Sequence, residues 1–347
     1  MNNFKFYNNP SKIDTNKWKS FCEGHTYNTV FQSFEIYDFW KNQENNNPFI
    51  FFVESNDGDC LAFCAGTVMS TGRGFVKHFS SRAIIFGGPL LKEGVDVKQI
   101  LPYLLNNMEK ELKSSSIYLE IRNFYKDLLF DDIFKNMDWI YTPYQNYIIP
   151  LISEEAVFKK FHSERRRQIR KGLREGVTVT FDPTPDNILG VYKVLVKIYG
   201  KIKKPLPSLE YFSNLIEFDF AGIVTVKFEN KIIGGGYFLW DKQTIYDWYR
   251  GGLDVENKNK YPSAIADWSI MKFGLEQGIE KFDFMGAGIK GKEYGVRVYK
   301  SRFRGDLVEY GRFTKIIKPR MYKVGSFGLE VANKLILRIE SSKLIKH

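Results

Sequence analysis

"PFIFFVESNDGDCLAFCAGTVM", Pro48–Met69, reads as a strand, a turn at Asn56-Asp57-Gly58 and a second strand. Aromatic and β-branched residues fill the first arm, and the residues between the arms suit a turn. Far downstream, "AGIVTVKFENKIIGGGYFLW", Ala221–Trp240, has the same form. The elements after each hairpin also match. After the first come strands around "GFVKHFS" and "SRAIIFGGPLL", then a helical stretch, "VKQILPYLLNNMEKELKSSS". Ile100, Tyr103, Leu104, Met108 and Leu112 give that stretch its helical spacing. A strand, "SIYLEIR", and the run "LLFDDIFKNMDWIYTPYQNYIIPL" close the half. After the second hairpin come a strand, "TIYDWYRGGL", a helix, "YPSAIADWSIMKFGLEQG", and a strand, "IEKFDFMGAG", that runs into glycines. A short helix around "EYGVRVYKSRF" and a last strand, "DLVEYGRFTKII", complete it.

Residue identity between the halves is negligible, but the order of elements repeats. The expected fold class is α+β: two tandem domains, each a mixed β-sheet flanked by helices. The boundaries fall at 1–152 and 153–317, with residues 318–347 left over. In that remainder Phe327, Val331, Leu335 and Ile339 recur every four residues and predict an amphipathic helix. It is expected to pack back on the first domain; a helix lying on a membrane surface is the other reading.

Totals agree with two folded domains. The chain has 347 residues, 44% hydrophobic and 16% aromatic, enough to build two cores. A net charge of +11 favours an anionic partner, whether nucleic acid, phosphate-bearing metabolite or anionic lipid. Three cysteines, Cys22, Cys60 and Cys64, read as buried thiols of a reducing compartment. The start, "MNNFKFYNNPSKID", has no apolar leader, and no run approaches the ~20 apolar residues of a membrane span. A cytoplasmic protein is expected, with peripheral contact at the inner face of the membrane left open. The four histidines are scattered, and His-Glu-x-x-His and Cys-x-x-Cys are absent, so a metal site and a serine triad are not expected.

Cations concentrate in "SERRRQIRKGLREG", Ser163–Gly176, which opens the second half. On a helix Arg166, Arg170 and Arg174 share one stripe and Arg167 and Lys171 the next, with Ile169 and Leu173 turned inward. At least one stripe is expected to face the domain junction and bind phosphate; a solvated face is the bland alternative. "GAGIKG", Gly286–Gly291, has the Gly-x-Gly-x-x-Gly form but too little chain after it for a dinucleotide fold. Such a loop still brings backbone N–H groups close to a carbonyl or phosphate oxygen. "GVRVYKSRFRG" then places Arg297, Lys300 and Arg304 on one face, interleaved with Tyr294, Val298, Tyr299 and Phe303. A lysine half-buried beside a glycine loop can polarise a carbonyl and stabilise an oxyanion. "DWYRGG", with Tyr249 and Arg250, and the proline loop "KIKKPLPSLEYF" are candidates to line a cleft.

Six segments, "SRAIIFGGPL", "RRRQIRKGLREGV", "KKPLPS", "YPSAIADW", "FDFMGAG" and "YGVRVYKSRF", together resemble the FemABX-like branch of the N-acetyltransferase (GNAT) superfamily. They lie in the family's order between Phe31 and Phe313. The resemblance implies two GNAT-like domains and transfer of an amino acid from aminoacyl-tRNA to a peptidoglycan precursor, or acylation of an amine on an envelope sugar. Lys300 matches the lysine of the family pattern Phe-Lys-x-x-Phe-Gly, which stabilises the reacting carbonyl, with Tyr299 and Arg304 as departures. The arginine helix matches the family's Arg-x-Ile-Arg-Lys segment, near which phosphates bind. A precursor-binding lysine finds only a loose counterpart in Lys41. Neither domain shows the Gln/Arg-x-x-Gly-x-Gly/Ala loop by which acyl-CoA-dependent members bind pyrophosphate, which tilts the donor towards a bulkier carrier.

The expectation is therefore an acyltransferase forming an amide on an anionic, nucleotide- or lipid-linked envelope precursor. Aminoacyl-tRNA, held by its acceptor arm, or acyl-CoA is the co-substrate, with no bound cofactor. Lys300 is the expected catalytic group, with Asp283 or Glu120 accepting a proton. Arg167, Arg170, Lys171, Tyr249, Arg250, Gly286, Gly288, Tyr294 and Arg297 are the expected substrate contacts. An acyl-CoA N-acetyltransferase of amino sugars and a noncatalytic RNA- or membrane-binding module are the alternatives.

Overall fold

Two eight-stranded mixed sheets organise the computed structural model, which describes residues 4–70 and 79–325. In chain order the first half runs β1 (Phe4–Tyr7), α1 (Thr15–Glu23), α2 (Phe34–Lys41), β2 (Asn46–Ser55), β3 (Cys60–Met69), β4 (Arg82–Phe86), β5 (Leu90–Leu91), α3 (Val97–Leu112), β6 (Tyr118–Arg122), α4 (Leu128–Asn136) and β7 (Ile140–Thr142). The second runs β8 (Tyr144–Pro150), α5 (Glu154–Lys160), α6 (Ser163–Arg174), β9 (Thr178–Thr180), α7 (Pro185–Lys201), α8 (Leu209–Leu215), β10 (Ala221–Phe228), β11 (Lys231–Trp240), β12 (Thr244–Gly252), α9 (Pro262–Glu276), β13 (Lys281–Asp283), β14 (Gly288–Ile289), α10 (Gly295–Ser301) and β15 (Asp306–Glu309), before a last strand, β16 (Arg312–Ile316).

The first sheet has the order β1-β2-β3-β4-β6-β16-β7, with β5 on β3; the second has β14-β8-β13-β12-β11-β10-β9, with β15 on β8. Among the described residues each sheet holds one parallel pair, β4 with β6 and β12 with β13, and each pair is bridged by a long helix, α3 or α9. That is the expected fold class. It follows from the repeated hairpin-strand-helix-strand order, because a parallel neighbour needs a crossover and a helix provides it.

The first core lies on two faces of its sheet. Ile100, Leu101, Leu104, Leu105 and Met108 of α3 bury against Phe51, Ala83 and Ile121, while Trp18 of α1 and Phe52 and Phe63 fill the other side. In the second unit α9 is apolar nearly all round, with Ala264, Ile265, Trp268, Ile270 and Met271 buried. Such a helix belongs inside, and it packs on β10, β11 and β12.

The unit boundaries differ from the expected ones. Contacts divide the chain into Met1–Thr142 joined by the segment from Arg312, and Pro143–Gly311. The run read as one segment ending at "NYIIPL" breaks at Pro143: β7 joins the first sheet and β8 pairs with β13 in the second. "DLVEYGRFTKII" breaks likewise at Gly311, whose φ is +73°: β15 pairs with β8, whereas β16 inserts between β6 and β7. Proline and left-handed glycine interrupt a strand, and here each marks where the chain changes sheet. The first unit is thus completed by residues expected in the second domain. Residues 319–325 are helical, but Phe327, Val331, Leu335 and Ile339 of the expected terminal helix, and most of the "GFVKHFS" strand, lie outside the described residues. Among the described residues no helix is long and apolar enough to cross a membrane.

Candidate active site

β12 and β13 pair only over Thr244–Tyr246 and Lys281–Asp283, after which β12 continues to Gly252 without its parallel neighbour. Parting strands open a crevice at their carboxyl ends, where mixed and parallel sheets hold ligands. β12 also carries a bulge. Phe238 pairs with Asp247 and Tyr237 with Tyr249, so Trp248 is one residue extra. The extra residue resets the alternation of side chains, and Asp247 Oδ2 and Arg250 Nε meet at 3.3 Å. From α9 the fully buried Asp267 brings Oδ1 to 2.5 Å from the same Nε. The Nε–H does not point at that oxygen, so the contact is ionic without a directed hydrogen bond. Tyr299 of α10 donates its hydroxyl to Asp267 Oδ2 at 2.6 Å. Asp247 Oδ1 is buried and has no hydrogen-bond partner among the described residues.

Lys300 sits next to this network. It is only 7% exposed, and its ammonium donates to the carbonyls of Phe284 and Gly286, each at 2.7 Å. Those carbonyls flank Met285, held at φ +58° in the left-handed region, which is uncommon for a long side chain. Asp283 and Asn146 brace the loop from the strand side: Asp283 Oδ1 accepts from Met285 N at 2.5 Å and from Asn146 Nδ2 at 2.6 Å, and Asn146 Oδ1 accepts from Gly286 N at 2.7 Å. Gly288, at φ +85°, leaves room for the Tyr294 ring, since a Cβ there would stand 2.8 Å from its Cδ1. Two of the three ammonium donors of Lys300 hold the loop, and the third remains for another acceptor.

Burial sets the protonation of these groups. It pushes Lys300 down to about 8, against the pull of Asp247. It raises Asp267 to about 7 despite Arg250. Asp283 is raised by burial too, with the Asn146 and Met285 hydrogen bonds opposing. Burial also works against the Arg250 charge, but Asp267 and Asp247 outweigh it and hold the guanidinium protonated.

The structure gathers some of the expected site residues and not others. Lys300, Asp283, Arg250, Gly286 and Gly288 surround the loop and the parted strands. Arg297 is close but occupied: its guanidinium donates to the carbonyls of Ala287 at 2.9 Å, Lys292 at 3.0 Å and Ile289, so it secures the loop and is not available as a substrate contact. Tyr294 caps α10 and takes a hydrogen bond from Lys204 Nζ at 3.4 Å. Tyr249 belongs to an aromatic group with Tyr199 and Phe212, at ring distances of 5.7 and 5.2 Å. Glu120 is not part of this cluster. It lies on β6 of the first unit, 2.6 Å from Arg122 and 3.3 Å from Arg312; burial opposes its charge, but these two cations keep it below the usual carboxylate range.

On α6, Arg167 and Arg170 are exposed and Lys171 is half-buried. Arg170 lies over Phe158, and Arg166 is taken by the carbonyls of Lys159 and Phe161 at 2.6 and 2.7 Å. Leu173, expected inward, is 45% exposed; the buried face is Arg165, Ile169 and Gly172. Gly172 is in that face because α6 touches the chain before α9: a Cβ would stand 2.3 Å from the Lys260 carbonyl oxygen.

Asp247, Asp267, Tyr299 and Arg165 were missed as site residues by sequence reasoning. The signal available was an acid inside an otherwise apolar run, in "TIYDWY" and "SAIADW", where an unpaired carboxylate would be too costly to bury.

Residues 159–301 match the family model described as an acetyltransferase (GNAT) domain. Comparison with curated protein sequences finds no match. Among solved structures, FemX aligns with a TM-score of 0.68 at 13% identity, over 92% of this chain and 99% of its own. A tandem GNAT protein from the clavulanic acid biosynthesis pathway aligns with a TM-score of 0.60 at 8% identity, over 90% and 98%. The C-terminal domain of a putative lysylphosphatidylglycerol synthetase from Agrobacterium fabrum gives 0.55 at 13%, over 91% and 95%. Identities this low speak for fold, and all three alignments extend over nearly the whole chain. Residues 159–301 thus match a GNAT acetyltransferase domain, and the chain as a whole shares the fold of FemX and of the tandem GNAT protein.

Proposed function

We propose that the second unit forms an amide bond, transferring an acyl or aminoacyl group from an activated carrier to an amine on an anionic cell-envelope precursor. The observation that carries this reading is the buried Asp247–Arg250–Asp267–Tyr299 network beside Lys300, placed where β12 and β13 part. Attack of an amine on a carbonyl needs a proton acceptor for the ammonium and a cation or donor for the oxyanion. Asp247 Oδ1, buried without a hydrogen-bond partner among the described residues, is suited to take the proton, with Arg250 holding the other carboxylate oxygen. The third N–H of Lys300 is suited to the oxyanion, because the loop carbonyls fix the ammonium before substrate arrives. Asp283, a candidate base on sequence grounds, is better suited to bracing the loop.

Two further features bear on the substrates. Arg167 and Arg174 stand exposed on α6 with no ion pair among the described residues, which suits phosphate groups of a nucleotide- or lipid-linked precursor or of a tRNA acceptor arm. At the first turn of α9, where acyl-CoA-dependent GNAT domains hold pyrophosphate, Ser263 Oγ donates to the Asp254 carboxylate. A carboxylate there repels a diphosphate, and this favours aminoacyl-tRNA over acyl-CoA as donor. The test is direct. The protein is incubated with mixed aminoacyl-tRNA or a set of acyl-CoAs, together with nucleotide-linked muropeptide, amino-sugar and phosphatidylglycerol acceptors, and the products are read by mass spectrometry. Amide formed from aminoacyl-tRNA is expected; product from acyl-CoA alone would reverse the donor assignment, and no product from any pair would overturn the reading.

A further inference from the structure

The helix that reads as a surface grip turns its first arginine inward. Arg165 is 3% exposed, and its guanidinium lies 4.3 Å from the centre of the Tyr299 ring and 4.6 Å from that of Phe303. Nη2 donates to the Tyr299 carbonyl at 3.1 Å and Nη1 to Gln168 Oε1 at 3.1 Å, while the buried Nε has no hydrogen-bond partner among the described residues. No carboxylate forms an ion pair with Arg165 among the described residues. A buried guanidinium held by two rings, a carbonyl and an amide is a costly way to fill space that an aliphatic side chain would fill more cheaply. Two of its four contacts, one to the ring and one to the carbonyl, fall on Tyr299, whose hydroxyl meets Asp267 and whose chain neighbour is Lys300.

We propose that Arg165 is a positioning residue of the acyl-transfer site, clamping Tyr299 from α6 so that its hydroxyl stays on Asp267 and Lys300 stays on the loop carbonyls. This deepens the acyl-transfer reading and rests on it for its functional meaning. The geometry gives the clamp both grips it needs. Backbone is held through the Tyr299 carbonyl, at the last turn of α10, and side chain is held through the ring face, which attracts a cation. The groups facing Asp267 are Asp247 and Arg250 of β12, Tyr299 and Lys300 of α10, and Arg165 of α6. Arg165 and Arg250 favour its ionised form there, Asp247 opposes it, and burial opposes it most.

A pH-resolved double-mutant cycle tests the coupling without any substrate. Asp267 is raised from 3.8 to about 7 in the folded protein, so its ionisation lowers stability as pH climbs from about 4 through 7. Without Arg165 its ionised form is less favoured still, so the loss of stability on going from pH 5 to pH 8 grows. Urea unfolding of the full chain is compared at pH 5 and pH 8 for wild type, Arg165→Met, Asp267→Asn and the double variant. The Arg165→Met unfolding constant should be raised roughly tenfold more at pH 8 than at pH 5, the equivalent of one pKa step, and the excess should vanish in the Asp267→Asn background. Arg165→Lys keeps the charge and should restore the wild-type pH dependence; Arg165→Gln, which also removes the charge, replaces Arg165→Met if the latter does not fold. A penalty equal at both pH values, or one that persists without Asp267, would overturn the proposal. In the transfer assay Arg165→Met should lower kcat by about 10-fold or more with KM unchanged, as misplacement of a transition-state group does, and an unchanged kcat would also overturn it. A wild-type protein that transfers nothing would count against the acyl-transfer reading alone, because the stability cycle decides the coupling independently.

Discussion

Lys300 holds a loop through two carbonyls, and in the proposed reaction the same ammonium presents a donor to substrate. A positive charge there stabilises charge that grows only in the transition state, so its loss acts on kcat more than on binding. Lys300→Met should slow single-turnover transfer on the order of 100-fold, or ~2.7 kcal/mol, as loss of an oxyanion donor does. Arginine at this position should rescue only part, because a planar fork cannot replace a point charge bound by two carbonyls 2.7 Å away. The pH profile is set by the direction of the shift. Burial lowers Lys300 to about 8, so its protonated, active form is lost as pH rises past 8, and the rate should fall on that alkaline limb. An ordinary exposed lysine would hold the rate two pH steps further up. A flat profile between pH 7 and 10, measured on the chemical step, would remove Lys300 from the role.

At the scale of elements, α6 divides its cations by face. Arg165 goes inward, Arg166 ties the helix to the end of α5, and Arg167, Lys171 and Arg174 are left without ion pairs among the described residues. Charges that hold the fold and charges left for the proposed anionic partner are therefore separable by mutation. Changing Arg167, Lys171 and Arg174 together to glutamine should leave the melting temperature nearly unchanged, since exposed charges contribute little to stability. Substrate affinity should drop, and its dependence on salt should flatten, because screening acts on charges that have been removed. Equal affinity for wild type and variant at 50 mM and at 300 mM salt would return this face to a solvated one.

At the scale of the molecule, the first sheet is completed by a strand that comes after the whole second unit in sequence. β16 lies between β6 and β7, and its Phe313 is fully buried, stacked 4.5 Å from the Phe134 ring. Phe313→Ala should cost about 3–5 kcal/mol, the usual range for emptying such a core position. Calorimetry should show that loss in the transition of the first unit, with the second unit's transition unmoved. If the second unit alone lost stability, the assignment of β16 to the first sheet would be wrong.

How much of this was legible depended on range. The repeated hairpins, the helices between parallel strands and the resemblance in six segments are local signals, carried by hydrophobic period and turn residues, and the fold class follows from them. The glycine loop and Lys300 were legible for the same reason, lying together in one stretch of chain. The orientation of α6 was not: Ile169 inward was correct, but Leu173 is 45% exposed because Gly172, not a larger residue, meets the neighbouring backbone. Nor could spacing foretell that Trp248 is an extra residue, the one fact that brings Asp247 and Arg250 together.

The sequence by itself determined the two mixed-sheet domains, the basic helix and the lysine after the glycine loop, because each is written in neighbouring residues. Tertiary structure alone decided that Asp247, Arg250, Asp267, Tyr299 and Arg165 meet, since they come from β12, α9, α10 and α6 and share no local pattern. It also decided where the units end. A strand joins whichever sheet offers an open edge and a matching apolar face, and Pro143 and Gly311 mark a break without saying which sheet lies on either side.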